Sequence, residues 1–178
     1  MIPHGLYDLK HDVGHIQLGT GHDTGQFACD YLEAWWNDRG RWAYPEARSI
    51  LLFYDGGGSN SARHYLFKED LQRLVDRLRV EIRVAHYPPY CSKYNPIEHR
   101  LFPHVSRVCQ GVIFESVELV RALIERVETE AGLWVTVELQ EKLYLYQTGR
   151  KVAEGFRKGM RIAFDTIMPQ WNYQVIPS

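Results

Sequence analysis

Ser49-Ile50-Leu51-Leu52-Phe53-Tyr54-Asp55-Gly56-Gly57-Gly58 is the stretch on which the fold turns. The apolar run Ile50 to Tyr54 leads directly into an acid and three glycines. A short, continuous apolar run closed by a turn signal is the pattern of a strand buried on both faces. Downstream of it, Leu71, Leu74, Val75 and Leu78 fall on one face at helical spacing. Val80 to Ala85 then reads as another strand, ending at His86-Tyr87-Pro88-Pro89.

The pattern extends in both directions. Upstream, Leu6 to Leu9 is a strand candidate, His11-Asp12-Val13-Gly14 a turn, and His15 to Leu18 a second strand. Asp23 or Thr24 can cap a helix running to about Asn37, with Phe27, Ala28, Tyr31, Leu32 and Trp35 at helical spacing and Gly40 as its stop. Downstream, a helix should start near Pro96, with Leu101, Phe102, Val105 and Val108 as its apolar positions. Another has Val117, Val120, Ile124 and Val127 on one side. Leu133 to Leu139 fits a strand or a loop, and a weak helix near 152–158 and a strand near 173–176 follow. Strands alternating with helices predict an α/β layer fold, in which ligands sit at the carboxyl ends of strands. Asp55 occupies such an end. The length of 178 residues suits one domain, 1–178, whose last part, 140–178, reads as an irregular extension.

Composition narrows the classes. At 45% hydrophobic and 24% charged, the chain has material for a core and is not of disordered type. Its apolar runs fall far short of the ~20 residues of a membrane helix, and Met1 to Gly5 lacks a basic region leading into an apolar one, so a cytoplasmic protein is expected. Cys29, Cys91 and Cys109 are scattered, with neither the spacing of a zinc site nor a disulfide framework. The formal net charge of −1 gives a stand-alone nucleic-acid binder no support, so any DNA binding must come from a local patch or from another segment.

Two carboxylates stand out. Asp55 reads either as a metal ligand at a strand tip, with glycines beside it that let a phosphate backbone approach, or as a turn Asp. Glu98 lies in Asn95-Pro96-Ile97-Glu98-His99. Asn95 as N-cap, Pro96 in the first turn and Glu98 at the third position would make a capping box. Glu98 also shares the apolar face of Leu101, Phe102 and Val105, where a carboxylate is costly unless paired or metal-bound. Phosphodiester cleavage with two metal ions about 4 Å apart needs such hard oxygen ligands for Mg²⁺ or Mn²⁺. Lys93, Asn95, His99 and Arg100 around Glu98, and Ser59 and Asn60 after Asp55, are candidate DNA-phosphate contacts. Each also has a plain structural role open to it, as cap or solvated surface.

The blocks Asp55-Gly-Gly-Gly-Ser-Asn60, His86-Tyr-Pro and Cys91-Ser-Lys-Tyr-Asn-Pro-Ile-Glu-His-Arg-Leu-Phe102 resemble the DDE domain of ISAzo13-family, or Rhodopirellula-type, transposases. Gly5-Leu-Tyr-Asp-Leu9, Gln147-Thr-Gly-Arg-Lys-Val152 and Pro169-Gln-Trp-Asn-Tyr173 fit as well, so the resemblance covers nearly the whole chain. It implies an RNase-H-like (retroviral integrase-like) mixed sheet flanked by helices, a two-metal site holding Mg²⁺ or Mn²⁺, and cleavage and strand transfer of DNA at transposon ends and target. Asp55 matches the second catalytic acid and Glu98 the third. The family's first Asp lies on a first, central strand upstream of the region matching Gly5 to Asp8, and its DNA-binding region lies further upstream. The resemblance therefore implies a domain truncated at its N-terminus and lacking that strand. The gap would be closed by a rearranged strand, a homo-oligomer or a separate N-terminal transposase segment. Two functions follow: an active transposase domain, nucleoid-associated when on DNA, or an inactive remnant that binds DNA or a full-length partner.

Overall fold

The computed structural model describes residues 2–19, 21–22, 24–55, 61, 63–88, 90–140 and 150–178. The chain forms two compact units, one from Met1–His22 with Lys93–Leu145 and one from Asp23–Ser92 with Tyr146–Ser178.

In the first unit, β1 (Ile2–Asp8) and β2 (Val13–Gly19) form an antiparallel hairpin with Asp8 opposite Val13. The Asp8 carboxylate closes the turn by accepting from the Lys10 amide at 3.0 Å, and Asp12 takes the left-handed conformation. β5 (Trp134–Gln140) pairs parallel with the free side of β2, giving the order β1-β2-β5. The stretch open between strand and loop is thus a strand, and β2 between its two neighbours is buried along its whole length. Ile16, Leu18, Val135 and Val137 pack with Leu101, Val120 and Ile124 of the helical layer.

That layer is α4 (Ile97–Arg100), α5 (Phe102–Cys109) and α6 (Val117–Ile124). The sequence reads one helix from Pro96 onward, whereas the structure breaks it at Leu101, which separates α4 from α5 with φ of −119° and ψ of −61°. Pro103 is the cause: it has no N–H to continue the ladder, and its ring crowds the preceding turn. The break still serves packing. Leu101 is fully buried over Gly14, where a Cβ would lie 2.4 Å from Leu101 Cδ1.

In the second unit, Thr24 caps α1 (Gly25–Trp35), its Oγ1 accepting from the Phe27 amide at 3.1 Å. Phe27, Ala28, Tyr31, Leu32 and Trp35 are buried as their spacing predicts. Gly40 does not stop the chain there: a π-helical turn, Trp36–Gly40, continues into α2 (Arg41–Ala43). The glycine is needed for proximity instead, since a Cβ at Gly40 would sit 2.7 Å from the Trp36 ring.

β3 (Ser49–Tyr54) and β4 (Glu81–His86) are parallel, with α3 (Tyr65–Leu78) as the crossover between them. β7 (Asn172–Val175) pairs antiparallel with the other side of β4, and β6 (Ile162–Phe164) with β7, giving the order β3-β4-β7-β6. A short helix, α7 (Phe156–Gly159), precedes β6.

One expectation fails here. β3 is not buried on both faces: Leu51 is 54% and Phe53 40% exposed, while Ile50, Leu52 and Tyr54 are half-buried. The reason is that this face of the sheet lacks cover among the described residues: Leu51 lies beside Arg83 of β4, which is exposed too although β4 has a strand on either side.

α3 carries its expected apolar face, with Leu71, Leu74 and Val75 fully buried. It also buries Lys68, Glu69, Asp70 and Gln72. Glu69, Asp70 and Gln72 bond the segment 150–161, while Lys68 lies beside the Tyr65 and Tyr173 rings. Arg150 Nη1 donates to Asp70 Oδ2 at 2.9 Å, the Ala153 amide to Glu69 Oε1 at 3.4 Å, and the Arg161 amide to Gln72 Oε1 at 3.1 Å. Among the described residues no helix is long and apolar enough to cross a membrane.

Candidate active site

Asp55 directly follows Tyr54, the last residue of β3, and belongs to the second unit. Its carboxylate is exposed and has no hydrogen-bond or ion-pair partner among the described residues. Gly56 to Gly58, and the candidate phosphate contacts Ser59 and Asn60, lie outside the described residues.

Glu98 lies in the first turn of α4, in the first unit, and is half-buried. The capping box offered by its sequence context does not form. Asn95, 8% exposed, accepts from the Ile97 amide with its side chain at 3.4 Å and from the Glu98 amide with its carbonyl at 3.0 Å. The Glu98 carboxylate returns no bond and has no partner among the described residues. Asn95 therefore holds the turn from inside, and Glu98 keeps its oxygens free.

Around Glu98, Lys93 is exposed, with its ammonium 5.1 Å from the Tyr94 ring centre. His99 Nε2 bonds the Lys93 carbonyl, which ties α4 to the preceding turn. Arg100 bonds the Tyr7 hydroxyl, which raises the guanidinium's pKa, and that hydroxyl donates to Asp12. Lys93, His99 and Arg100 thus share the first unit with Glu98, while Asp55 stands in the other.

In the second unit a chain of ring contacts starts at Tyr54, the residue before Asp55, and sequence reasoning missed it. The Tyr54 ring lies 5.9 Å from His86, and His86 lies 5.7 Å from Tyr173. Lys68 Nζ sits 4.7 Å from the Tyr173 ring centre and 5.3 Å from that of Tyr65. Arg157 lies 4.2 Å over the outer member, Tyr65. Burial pushes the Tyr54 and Tyr173 phenols up, so both stay neutral. The signal available in sequence was the density of Lys and Arg between Arg150 and Arg161.

Burial pushes the Lys68 ammonium down to about 8. An unfolded lysine titrates near about 10.4. Between those values the unfolded chain keeps a proton that the folded chain has released, so Lys68 makes stability rise with pH across that window. Buried Cys29, whose thiol is pushed up, acts in the opposite sense. The difference between parent and Lys68→Met therefore isolates the lysine. Its urea midpoint should move in favour of the parent from pH 7.5 to 9.5; parallel midpoints would contradict the burial of a charge at this position.

The donor chemistry fits hard divalent cations, since carboxylates without partners among the described residues are what Mg²⁺ or Mn²⁺ would take. Among the described residues no group of three or more His, Cys, Asp or Glu side chains is placed to hold a metal.

The mixed α/β chain falls among transposase DDE domains by its match to a family model. The matching family is the Rhodopirellula transposase DDE domain, matched over residues 1–177, and the chain belongs to it. No curated protein and no solved structure matches the chain.

Proposed function

We propose that the chain is the catalytic domain of a transposase, with an RNase-H-like fold, that cleaves DNA strands and joins transposon ends to target DNA. Asp55 and Glu98 serve as two of its catalytic carboxylates. The observation that carries this reading is that both acids, in a chain matched to a transposase DDE family over residues 1–177, have oxygens unclaimed by other described residues. Bound Mg²⁺ or Mn²⁺ would supply Lewis acidity to a phosphodiester and to the attacking water or 3′-hydroxyl. Asp55 and Glu98 provide the hard, anionic oxygens that hold such ions. Lys93 and Arg100 present donors to phosphate beside Glu98, His99 holds the turn through the Lys93 carbonyl, and Ser59 and Asn60 are assigned to phosphate beside Asp55. Asn95 orients the turn that carries Glu98.

The open edge of β3 bears on the rest of the site. Its outward N–H and C=O groups lack a strand partner among the described residues, and Leu51 and Phe53 on the same strand are exposed. Such an edge accepts a strand. We assign it to a strand from a second copy, which also brings the first carboxylate. The same edge favours a second reading, in which the chain alone is inactive and binds DNA or a full-length transposase.

Nicking of supercoiled plasmid in Mn²⁺ tests the proposal. The parent chain should nick, and Asp55→Asn and Glu98→Gln should each lose activity by at least about 100-fold, the scale of removing one group that stabilises a phosphoryl-transfer transition state. Parent and variants nicking alike would remove these acids from the mechanism. No nicking by any of them would leave the inactive reading standing.

A further inference from the structure

We propose that Lys151, Arg157, Lys158 and Arg161 form a DNA-backbone-binding arm on the unit that carries Asp55. The inference rests on the transposase reading and goes beyond its carboxylates.

Charge is the first argument. The whole chain has a net charge of −1, yet between Arg150 and Arg161 it carries five basic residues against Glu154 alone. Arg150 is committed to Asp70, but Lys151, Arg157, Lys158 and Arg161 are exposed and have no carboxylate partner among the described residues. Cations left unpaired on one short segment of a near-neutral protein suit a polyanion, whose counterions they displace.

The second argument is fixation. The arm is strapped to α3 through the buried side chains of Asp70, Glu69 and Gln72. Burying three polar groups on one helix is costly unless each is bonded, and here each is bonded to the arm. The arm is therefore held at defined places while its cations stay outside. Arg157 is oriented further by the Tyr65 ring beneath it, which leaves its planar fork free for phosphate.

The third argument is place. α3 is the crossover from β3 to β4, so its first turn, with Tyr65, lies at the carboxyl end of those strands, where Asp55 stands. The ring contacts from Arg157 through Tyr65, Lys68, Tyr173 and His86 to Tyr54 connect the arm to the residue before Asp55. DNA backbone held by the arm would lie on the Asp55 side of the sheet. Nucleic acid is favoured over an acidic protein because the chain belongs to a family of transposase domains.

The test is binding of a labelled duplex oligonucleotide by the full chain in EDTA, read by fluorescence anisotropy across a salt series. The variant carries Lys151→Gln, Arg157→Gln, Lys158→Gln and Arg161→Gln, with thermal melting to verify its fold. The slope of log affinity against log salt should fall by about 0.9 for each phosphate that the variant no longer neutralises. Arg157→Gln alone should fall by about one such step, which keeps the test open if the fourfold variant does not fold. Unchanged slopes in folded variants would overturn the arm. Polyglutamate displacing the duplex as well as unlabelled DNA does would overturn the assignment to nucleic acid. Because metal is absent, loss of the arm is read separately from Asp55 and Glu98: Mn²⁺-dependent nicking that persists in a variant with unchanged slope would leave the transposase reading intact. A parent chain that neither binds nor nicks would count against both.

Discussion

Leu101→Ala is expected to destabilise the first unit by about 2–5 kcal/mol. Leu101 is fully buried, and its side chain fills the space above Gly14 of β2. The truncation would leave a cavity between the helical layer and the strand at the centre of its sheet. Backbone collapse onto Gly14 is hindered because Leu101 sits at the break between α4 and α5, where Pro103 already restricts the chain. Hydrogen exchange followed by mass spectrometry should show lower protection in β2, β5 and α6. Nicking should fall as well, because α4 carries Glu98 and Leu101 anchors the end of that helix. Protection unchanged in these elements would show that Leu101 is not the anchor.

Asp70→Ala is the second large effect, expected at about 2–4 kcal/mol. Asp70 is buried, and Arg150 bonds it with both terminal nitrogens. The bond holds the Arg150 pKa up. The figure is set below that of a fully enclosed pair because the Arg150 side chain keeps 21% exposure, and water screens part of the loss. Removing the carboxylate strands a guanidinium and loosens the segment 150–161. The double variant Asp70→Leu, Arg150→Met should recover most of the stability, since apolar groups of similar volume often replace a buried ion pair at little cost. Calorimetric melting of the single and double variants reads both. A double variant no better than Asp70→Ala would mean that Arg150 stabilises through interactions other than this pair.

Much of the fold is legible in local pattern. The run Ile50 to Tyr54, the spacing of Leu71, Leu74 and Val75, and the Thr24 cap each specify an element through short-range physics, and each is present. What is not legible depends on distant neighbours. The apolar run of β3 matches a strand buried on both faces, but the described residues leave the face of Leu51 and Phe53 uncovered. Pro103 lies inside an otherwise helical pattern, and its break was readable from the missing N–H rather than from periodicity. Lys68, Glu69, Asp70 and Gln72 look like the solvated side of an amphipathic helix. Glu69, Asp70 and Gln72 are bonded by the segment 150–161 and Lys68 lies against the Tyr173 ring, and no local pattern encodes the position of either.

The site divides in the same way. Asp55 and Glu98 were recognisable as residue types in context, and the structure adds that their oxygens are free of described partners. The capping box around Glu98 was an equal alternative in sequence, because backbone spacing alone does not fix where a glutamate side chain turns. The ring contacts joining Tyr54 to Arg157 bring together residues far apart in the chain, which sequence order conceals.

The position of β7 has a consequence for synthesis. β4 is finished well before its second partner, with fully buried Val175, leaves the ribosome. Until then β4 has β3 on one side and an unpaired edge on the other, beside the exposed Leu51 and Phe53 of its neighbour. Pairings between segments so distant form slowly, and open strand edges invite association with other nascent chains. Yield of the folded protein should therefore depend on the rate of translation and on chaperones, and a chain cut short before Asn172 should collect in the insoluble fraction.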